Sequence, residues 1–100
     1  MPLTTKQKKH YRAIGHALNP IVTLAEKGIT ENLLLELDRA LEDHELIKIK
    51  LAVADRASRK QLLHELCQQS QAELVQEIGK VALLFRPAKQ PSPRKSNLIY

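Results

Sequence analysis

The stretch LIKIKLAV, residues 46–53, is the clearest structural signal in this chain of 100 residues. Every second residue from Ile47 to Val53 is aliphatic, which is the period of a β-strand with one buried face. Lys48 and Lys50 alternate with these residues and therefore share the opposite face. The segment predicts a strand that carries core residues on one side and positive charge on the other.

Three helices are predicted around this strand from capping residues and apolar periodicity. Thr4 opens a capping box, in which its hydroxyl accepts from the amide of Gln7 while the Gln7 side chain reaches back. Thr30 and Asp55 are the predicted N-caps of the other two helices. The predicted helices cover residues 4–18, 30–43 and 55–70.

Three further strands are predicted at residues 21–24, 73–78 and 81–86. Gly79 and Lys80 match a two-residue hairpin turn between the last two strands. Strands separated by helices favour parallel crossovers, whereas the hairpin adds an antiparallel pair. We therefore expect an α/β fold, a small mixed four-stranded sheet with three helices in the order α-β-α-β-α-β-β.

The length suits one domain. We expect residues 1–87 to form it and residues 88–100, which are rich in Pro, Ser, Lys and Arg, to be a disordered basic tail. No apolar run approaches the roughly 20 residues of a membrane span, and the N-terminus lacks the apolar region of a signal peptide. We expect a cytoplasmic monomer that does not bind membranes.

The net charge of +5 is unevenly distributed along the chain. Residues 1–19 carry four cations and no acid, whereas residues 26–45 carry seven acids and two cations. Residues 46–60 carry five cations and one acid, and residues 86–100 carry four cations. This segregation predicts one basic and one acidic face, and the basic face suits a polyanionic partner.

Most cations of the first helix share a single stripe. At 100° per residue the stripe lies opposite the apolar positions Tyr11, Ile14 and Leu18. A solvated helix face is the alternative explanation, but no acid interrupts the charge. We predict that this stripe binds phosphates through Lys6, Lys8, Lys9 and Arg12.

Arg56, Arg59 and Lys60 crowd the predicted start of the third helix. A helix start carries partial positive charge, so each exposed cation there costs about 0.3–1 kcal/mol. A bound phosphate would offset this cost, and ion pairs with Asp55 are the alternative. Lys48 and Lys50 fit two alternative roles, which are contact with phosphate and protection of an edge strand from aggregation.

The remaining polar residues do not form a catalytic or metal-binding constellation. His10 and His16 point about 120° apart on their helix, and no HExxH spacing is present. Cys67 and His64 resemble a nucleophile and a base, but Cys67 falls on the predicted core side. We therefore expect no enzymatic activity, no metal and no cofactor.

Aromatic residues are too few for a platform on which RNA bases stack. Only Tyr11, Phe85 and Tyr100 are present, and the first two fall on predicted core faces. The sequence therefore predicts recognition of backbone path and shape in structured RNA.

An ordered series of short motifs resembles the CRM domain (chloroplast RNA splicing and ribosome maturation), in particular the stand-alone bacterial YhbY type. The resemblance covers about residues 3–87. The motifs are LTTKQK (3–8), ALNPIV (17–22), HELIKIK (44–50), IGK (78–80) and FRP (85–87).

This resemblance implies a fold like the C-terminal domain of translation initiation factor three. It also implies RNA binding and association with precursors of the large ribosomal subunit, hence a role in ribosome assembly. The alternative function is a protein-interaction module that contacts a basic ribosomal protein through the acidic second helix.

The loop after the first strand departs from the family pattern. The family usually has a GxxG loop there that approaches the RNA backbone, whereas this chain has alanine first and an acid second, in Ala25-Glu26-Lys27-Gly28. The resemblance implies RNA contacts from Lys27 and Gly28. Ala25 restricts close approach and Glu26 repels phosphate, so neither is assigned a contact.

Overall fold

A computed structural model describes residues 3–98 of the chain. Its seven helices and strands follow the predicted order, and the α/β fold with a mixed four-stranded sheet is confirmed. The helices are α1 (Thr5–Gly15), α2 (Glu31–His44) and α3 (Arg56–Ser70). The strands are β1 (Pro20–Ala25), β2 (Leu46–Ala52), β3 (Glu73–Ile78) and β4 (Val81–Phe85).

The strand order in the sheet is β1-β2-β4-β3. β1 and β2 are parallel and joined by α2, while β4 pairs antiparallel with both β2 and β3. The segment that begins at Leu46 is therefore an interior strand. Both of its ladders of hydrogen bonds are occupied by neighbouring strands.

The two faces of the sheet carry separate apolar clusters. The larger cluster packs α2 and α3 against one face, with Ile47, Ile49 and Leu51 of β2 at most 1% exposed. The smaller cluster, around Leu46 and Leu83, packs α1 against the other face. Because side chains alternate along β2, its aliphatic residues face the larger cluster. Its two lysines lie on the sheet face against which α1 packs.

Gly15 lets α1 lie close to the sheet. A Cβ atom at this position would lie 2.6 Å from Cδ2 of Leu83, which is nearer than carbon atoms approach without a shift. The helix ends here, three residues before the predicted end at Leu18, because the amides of Ala17 and Leu18 bond to carbonyls three residues back rather than four.

The residue that ends α2 has an unusual backbone conformation. Glu45 caps it with φ 62° and ψ −47°, a backbone conformation that residues with a Cβ rarely adopt. Its side chain is buried, and its two carboxylate oxygens accept from the Ala88 amide at 2.8 Å and the Ser96 hydroxyl at 3.0 Å. These bonds explain how the surrounding structure holds the strained residue.

The segment predicted to be disordered lies against the domain as far as the structure describes it. The Nδ2 of Asn97 donates to the Leu46 carbonyl at 2.6 Å, and Leu98 packs on the cluster under α1. Short-range composition predicted disorder, whereas these contacts join residues about 50 positions apart. Ile99 and Tyr100 of the predicted tail lie outside the described residues.

Within residues 3–98, every helix is too short or too polar to cross a lipid bilayer.

Candidate nucleic-acid interface

The predicted stripe on α1 has two edges that differ in position. Lys8 and Arg12 are half-buried and lie one turn apart, whereas Lys6 and Lys9 are exposed. Arg12 lines a cavity together with Lys48 of β2. The structure therefore brings one edge of the α1 stripe onto the same side of the molecule as the lysines of β2.

Lys48 and Lys50 lie on the sheet face that α1 covers only in part. Lys48 is half-buried and Lys50 is exposed. Because β2 lies between β1 and β4, it is not an edge strand, and the proposed role of these lysines in edge protection is wrong. Phosphate contact by these lysines stays a prediction.

The loop after β1 and the start of α3 meet at one edge of the sheet. β1 and β2 are parallel, so their carboxyl ends lie side by side. An oxygen of Glu26 accepts from the amide of Ala54 at 2.6 Å, which ties the loop to the residues that lead into α3. This bond ties the loop that carries Lys27 to the segment before Arg56 and Lys60, and their joint contact with RNA stays a prediction.

Gly28 has a conformational role in this loop. Its φ of +82° belongs to the left-handed region, and its amide donates to the Ala25 carbonyl at 2.9 Å. The amide that was expected to approach a phosphate is therefore occupied by the turn itself. Glu26, expected only to repel phosphate, fastens the loop.

We expect Glu26→Gln to raise RNA affinity about two- to fivefold, because it removes one negative charge beside Lys27. The amide oxygen of glutamine can still accept from Ala54, so the loop keeps its position. Fluorescence anisotropy with a structured ribosomal RNA fragment would measure the change in Kd. Glu36→Gln, an exposed site on α2, is the matched control. Equal affinities of Glu26→Gln and wild type would place the loop away from the RNA.

The three cations at the start of α3 are not equivalent. Arg56 and Lys60 are exposed, whereas Arg59 is half-buried and donates from its guanidinium to the Val53 carbonyl at 2.9 Å. Asp55 accepts from the Ser58 amide at 2.8 Å, and hydrogen bonds from Ser58 lower the pKa of this carboxyl. Arg59 therefore supports the connection between β2 and α3, while Arg56 and Lys60 remain available to a ligand.

These groups form two basic clusters with a bridge between them. The α1 cluster contains Lys8 and Arg12, and the edge cluster contains Lys27, Arg56 and Lys60. β2 runs from the first to the second, and its course from Lys48 to Ala52 is about 13 Å long. Lys50 lies between the clusters. The acidic helix α2 packs on the opposite face of the sheet.

Lys80 is a further cation near the edge cluster that the sequence did not identify. Its carbonyl accepts from the amide of Leu51 at 2.7 Å, which holds the exposed hairpin turn beside the end of β2. The turn itself was predicted. Its position next to β2 depends on the pairing of β2 with β4, for which the sequence carries no local signal.

Cations of the C-terminal segment lie on the acidic side instead. Lys95 Nζ is 4.0 Å from a carboxylate oxygen of Asp43. Glu42 accepts from the amides of Gln90 and Lys89, both at 3.1 Å, and these hydrogen bonds lower its pKa. This part of the positive charge therefore neutralises α2 and does not extend the basic surface.

The aromatic residues of α1 and β4 belong to the core, as predicted. The rings of Tyr11 and Phe85 lie 4.9 Å apart, and burial raises the pKa of Tyr11. Both rings pack on the cluster around Leu83. Both rings are partly buried, and Tyr100 lies outside the described residues.

Cys67 packs against the larger core cluster. Burial raises the pKa of its thiol from 9.0 to about 11. His64, three residues earlier, is exposed. Residues 3–98 also contain no group of three or more His, Cys, Asp or Glu side chains arranged to hold a metal ion.

We expect Cys67 to react with iodoacetamide at pH 8 about a hundredfold more slowly than an unperturbed thiol. Two units of pKa lower the fraction of reactive thiolate by that factor. Mass spectrometry over time would give the rate, and the denatured chain is the control. Rapid modification of the folded protein would contradict the assigned burial.

A model of the CRS1 / YhbY (CRM) domain matches residues 3–86. The chain is 54% identical over 98 residues to a probable RNA-binding protein of Pseudomonas aeruginosa, with 98% of the chain and 94% of that protein covered. It is 41% identical to an RNA-binding protein of Haemophilus influenzae, with 93% and 97% covered.

The fold also resembles the solution structure of a hypothetical protein from Staphylococcus aureus. The TM-score is 0.76 at 35% sequence identity, and the match covers 88% of the chain and 92% of that protein.

Proposed function

Because the chain belongs to the CRS1 / YhbY (CRM) domain family, we propose that it binds structured ribosomal RNA in precursors of the large ribosomal subunit. In this role it assists ribosome assembly without catalysing a reaction. The RNA-binding proteins of P. aeruginosa and H. influenzae, which align over almost their whole length, support RNA as the partner.

The observation that carries the proposal is the arrangement of charge on the sheet. The Lys8 and Arg12 edge of α1 shares a face with Lys48 and Lys50 of β2, and β2 leads to the edge cluster. A strip of cations along one side suits a phosphodiester backbone that crosses several strands. Acidic α2 on the opposite face disfavours binding of RNA there.

Phosphate contacts position an RNA without reading its sequence. Lys6, Lys8, Lys9 and Arg12 hold one backbone segment in this proposal, and Lys50 guides the backbone toward the edge cluster. There Lys27, Arg56 and Lys60 bind further phosphates and offset the unfavourable charge at the start of α3.

Crosslinking in cells, followed by sequencing of the bound RNA, tests the proposal. We expect reads concentrated in the RNA of the large subunit, and cosedimentation of the protein with particles lighter than the mature subunit. RNase treatment before the gradient should release the protein. Reads spread over unrelated RNAs, or sedimentation that RNase does not change, would contradict the proposal.

A groove beside α2 favours a second candidate, contact with a basic segment of a ribosomal protein. Glu31, Asp38 and Glu42 line the groove, and Leu35 beside them is 62% exposed. Asp38 pairs with Arg86 and Glu42 accepts from the amides of Lys89 and Gln90, so a lysine or arginine of the partner would contact chiefly Glu31. Leu35 suits an apolar side chain of the partner. Binding to ribosomal particles that bare ribosomal RNA fails to compete away would favour this candidate.

A further inference from the structure

α1 leaves part of one sheet face uncovered, since Lys50 and Ile78 on this face are exposed. Residues on this face form rows across β2, β4 and β3, since Lys48 pairs with Leu83 and Leu83 with Gln76. In the next row on the same face, Val81 pairs with Lys50 of β2 and with Ile78 of β3. A cavity of about 330 Å³ opens at the end of α1, where the covered rows meet the uncovered ones.

The cavity combines an apolar floor with a cationic rim. Leu83 and Val81 contribute to the floor, while Arg12, His16 and Lys48 also line the cavity. Among the described residues that line it, none is acidic. This composition suits a ligand with a flat apolar part and an attached negative charge.

Gln76 adds a neutral polar group to the same cavity. The register of β3 against β4 shifts between Leu74 and Gln76, with Val75 between them. Val75 packs under α1, and Gln76 also reaches the cavity. An amide side chain carries both donors and an acceptor, as hydrogen bonding to the edge of a nucleobase requires.

We propose that this cavity binds one unpaired nucleotide of the RNA, with the base on Leu83 and Val81 and the phosphate beside Arg12 and Lys48. Gln76 hydrogen-bonds the edge of the base. The proposal rests on the proposed RNA binding and adds recognition of a bulged or looped-out nucleotide. The sequence had predicted recognition of the backbone alone, because it showed no aromatic stacking platform.

An unpaired nucleotide fits the site better than a paired one. Bases of a duplex are stacked and present only their edges, whereas an extruded base can place its face on aliphatic side chains. The volume lies at the lower end of the usual range for ligand sites, about 300–1,000 Å³. The tight contact of Gly15 with Leu83 fixes the floor and the end of α1 relative to each other.

Two RNA duplexes of one sequence test the proposal, one fully paired and the other with a single bulged nucleotide. We expect wild-type protein to bind the bulged duplex about tenfold more tightly, a factor typical of one accommodated base. Val81→Phe fills the cavity with a neutral side chain. It should abolish the preference while leaving the affinity for the paired duplex unchanged.

Gln76→Leu is the second variant, since it keeps the size of the side chain and removes the amide. We expect it to lower the preference about threefold or more. Circular dichroism and thermal melting confirm that each variant is folded. If Val81→Phe does not fold, Gln76→Leu decides the outcome alone.

The outcomes separate the two proposals. Equal binding of both duplexes by wild type would overturn the nucleotide site and leave RNA binding intact. A preference as large as that of wild type in folded Val81→Phe, or in Gln76→Leu where that variant decides alone, would also overturn it. If wild type binds neither duplex and also fails to bind ribosomal RNA fragments, the proposed function itself would be overturned.

Discussion

Lys8→Glu combined with Arg12→Glu is expected to weaken binding to ribosomal RNA by about a thousandfold near 0.1 M salt. Each lost phosphate contact costs roughly tenfold at this salt concentration, and the two reversed charges add repulsion. Both residues lie on the half-buried edge of α1, where Arg12 lines a cavity together with Lys48. The fold should survive, because neither side chain belongs to the apolar cluster under α1.

The salt dependence of Kd gives a second readout of the same variant. The slope of log Kd against log salt should fall by at least about 1.8, corresponding to two phosphate contacts. Cosedimentation with precursors of the large subunit should be lost. Titrations followed by anisotropy at several salt concentrations measure both Kd and slope.

The control for this variant must change the net charge equally. Arg39→Glu with Lys89→Glu does so on the acidic side, where both residues are exposed. We expect this control to change RNA affinity less than about threefold, because only long-range repulsion is added. Equal losses in the two double variants would show that net charge, not position on α1, governs binding.

Arg86→Ala is expected to lower the free energy of unfolding by about 2–4 kcal/mol, although the residue touches no part of the basic surface. Its guanidinium donates to the carbonyl of Ser70 at 3.1 Å and to the carbonyl of Asp38 at 3.1 Å. It also donates to a carboxylate oxygen of Asp38 at 2.8 Å. One side chain thus joins the end of β4 to α2 and to the end of α3.

The carbonyl bonds account for most of this effect. The Asp38 side chain is 68% exposed, so the ion pair alone contributes little, whereas the Arg86 side chain is only 17% exposed. Alanine would leave the carbonyl of buried Ser70 without its donor. We expect the melting temperature to fall by about 10–20 °C.

Thermal and urea unfolding measure the change, and Arg86→Lys tests the geometry. Lysine keeps the charge but lacks the planar fork, so it should recover only part of the lost stability. Arg39→Ala, an exposed site on α2, should change the stability by less than about 0.5 kcal/mol. RNA affinity of Arg86→Ala, measured well below its melting temperature, should equal that of wild type. A stability within 1 kcal/mol of wild type would refute the bridging role.

Features that depend on residues close together in the chain were predicted from the sequence, whereas contacts between distant residues were not. Thr4, Thr30 and Asp55 cap their helices as predicted, because a cap depends on residues three positions away. The hairpin turn at Gly79 is likewise local. The segment from Ala88 onward was assigned by composition to a basic tail, yet its partners lie about 50 residues earlier in the chain.

The binding surface was predicted only in pieces. The basic clusters were predicted because lysine and arginine residues that lie close together in the sequence are visible directly. It did not show that Arg59 and Gly28 form bonds within the fold, or that Glu26 fastens the loop to Ala54. Those bonds connect separate elements, so no pattern within either element reveals them.

The sequence by itself determined the helices, the strands, the family and the separation of positive from negative charge, because caps, periodicity and composition act over a few residues. The tertiary structure alone decided that β2 is interior, that the basic C-terminal segment neutralises α2, and that α1 ends above a cavity. Each of these depends on which strands pair and on how closely Gly15 approaches Leu83. Contacts between distant parts of the chain produce no periodic pattern in the sequence.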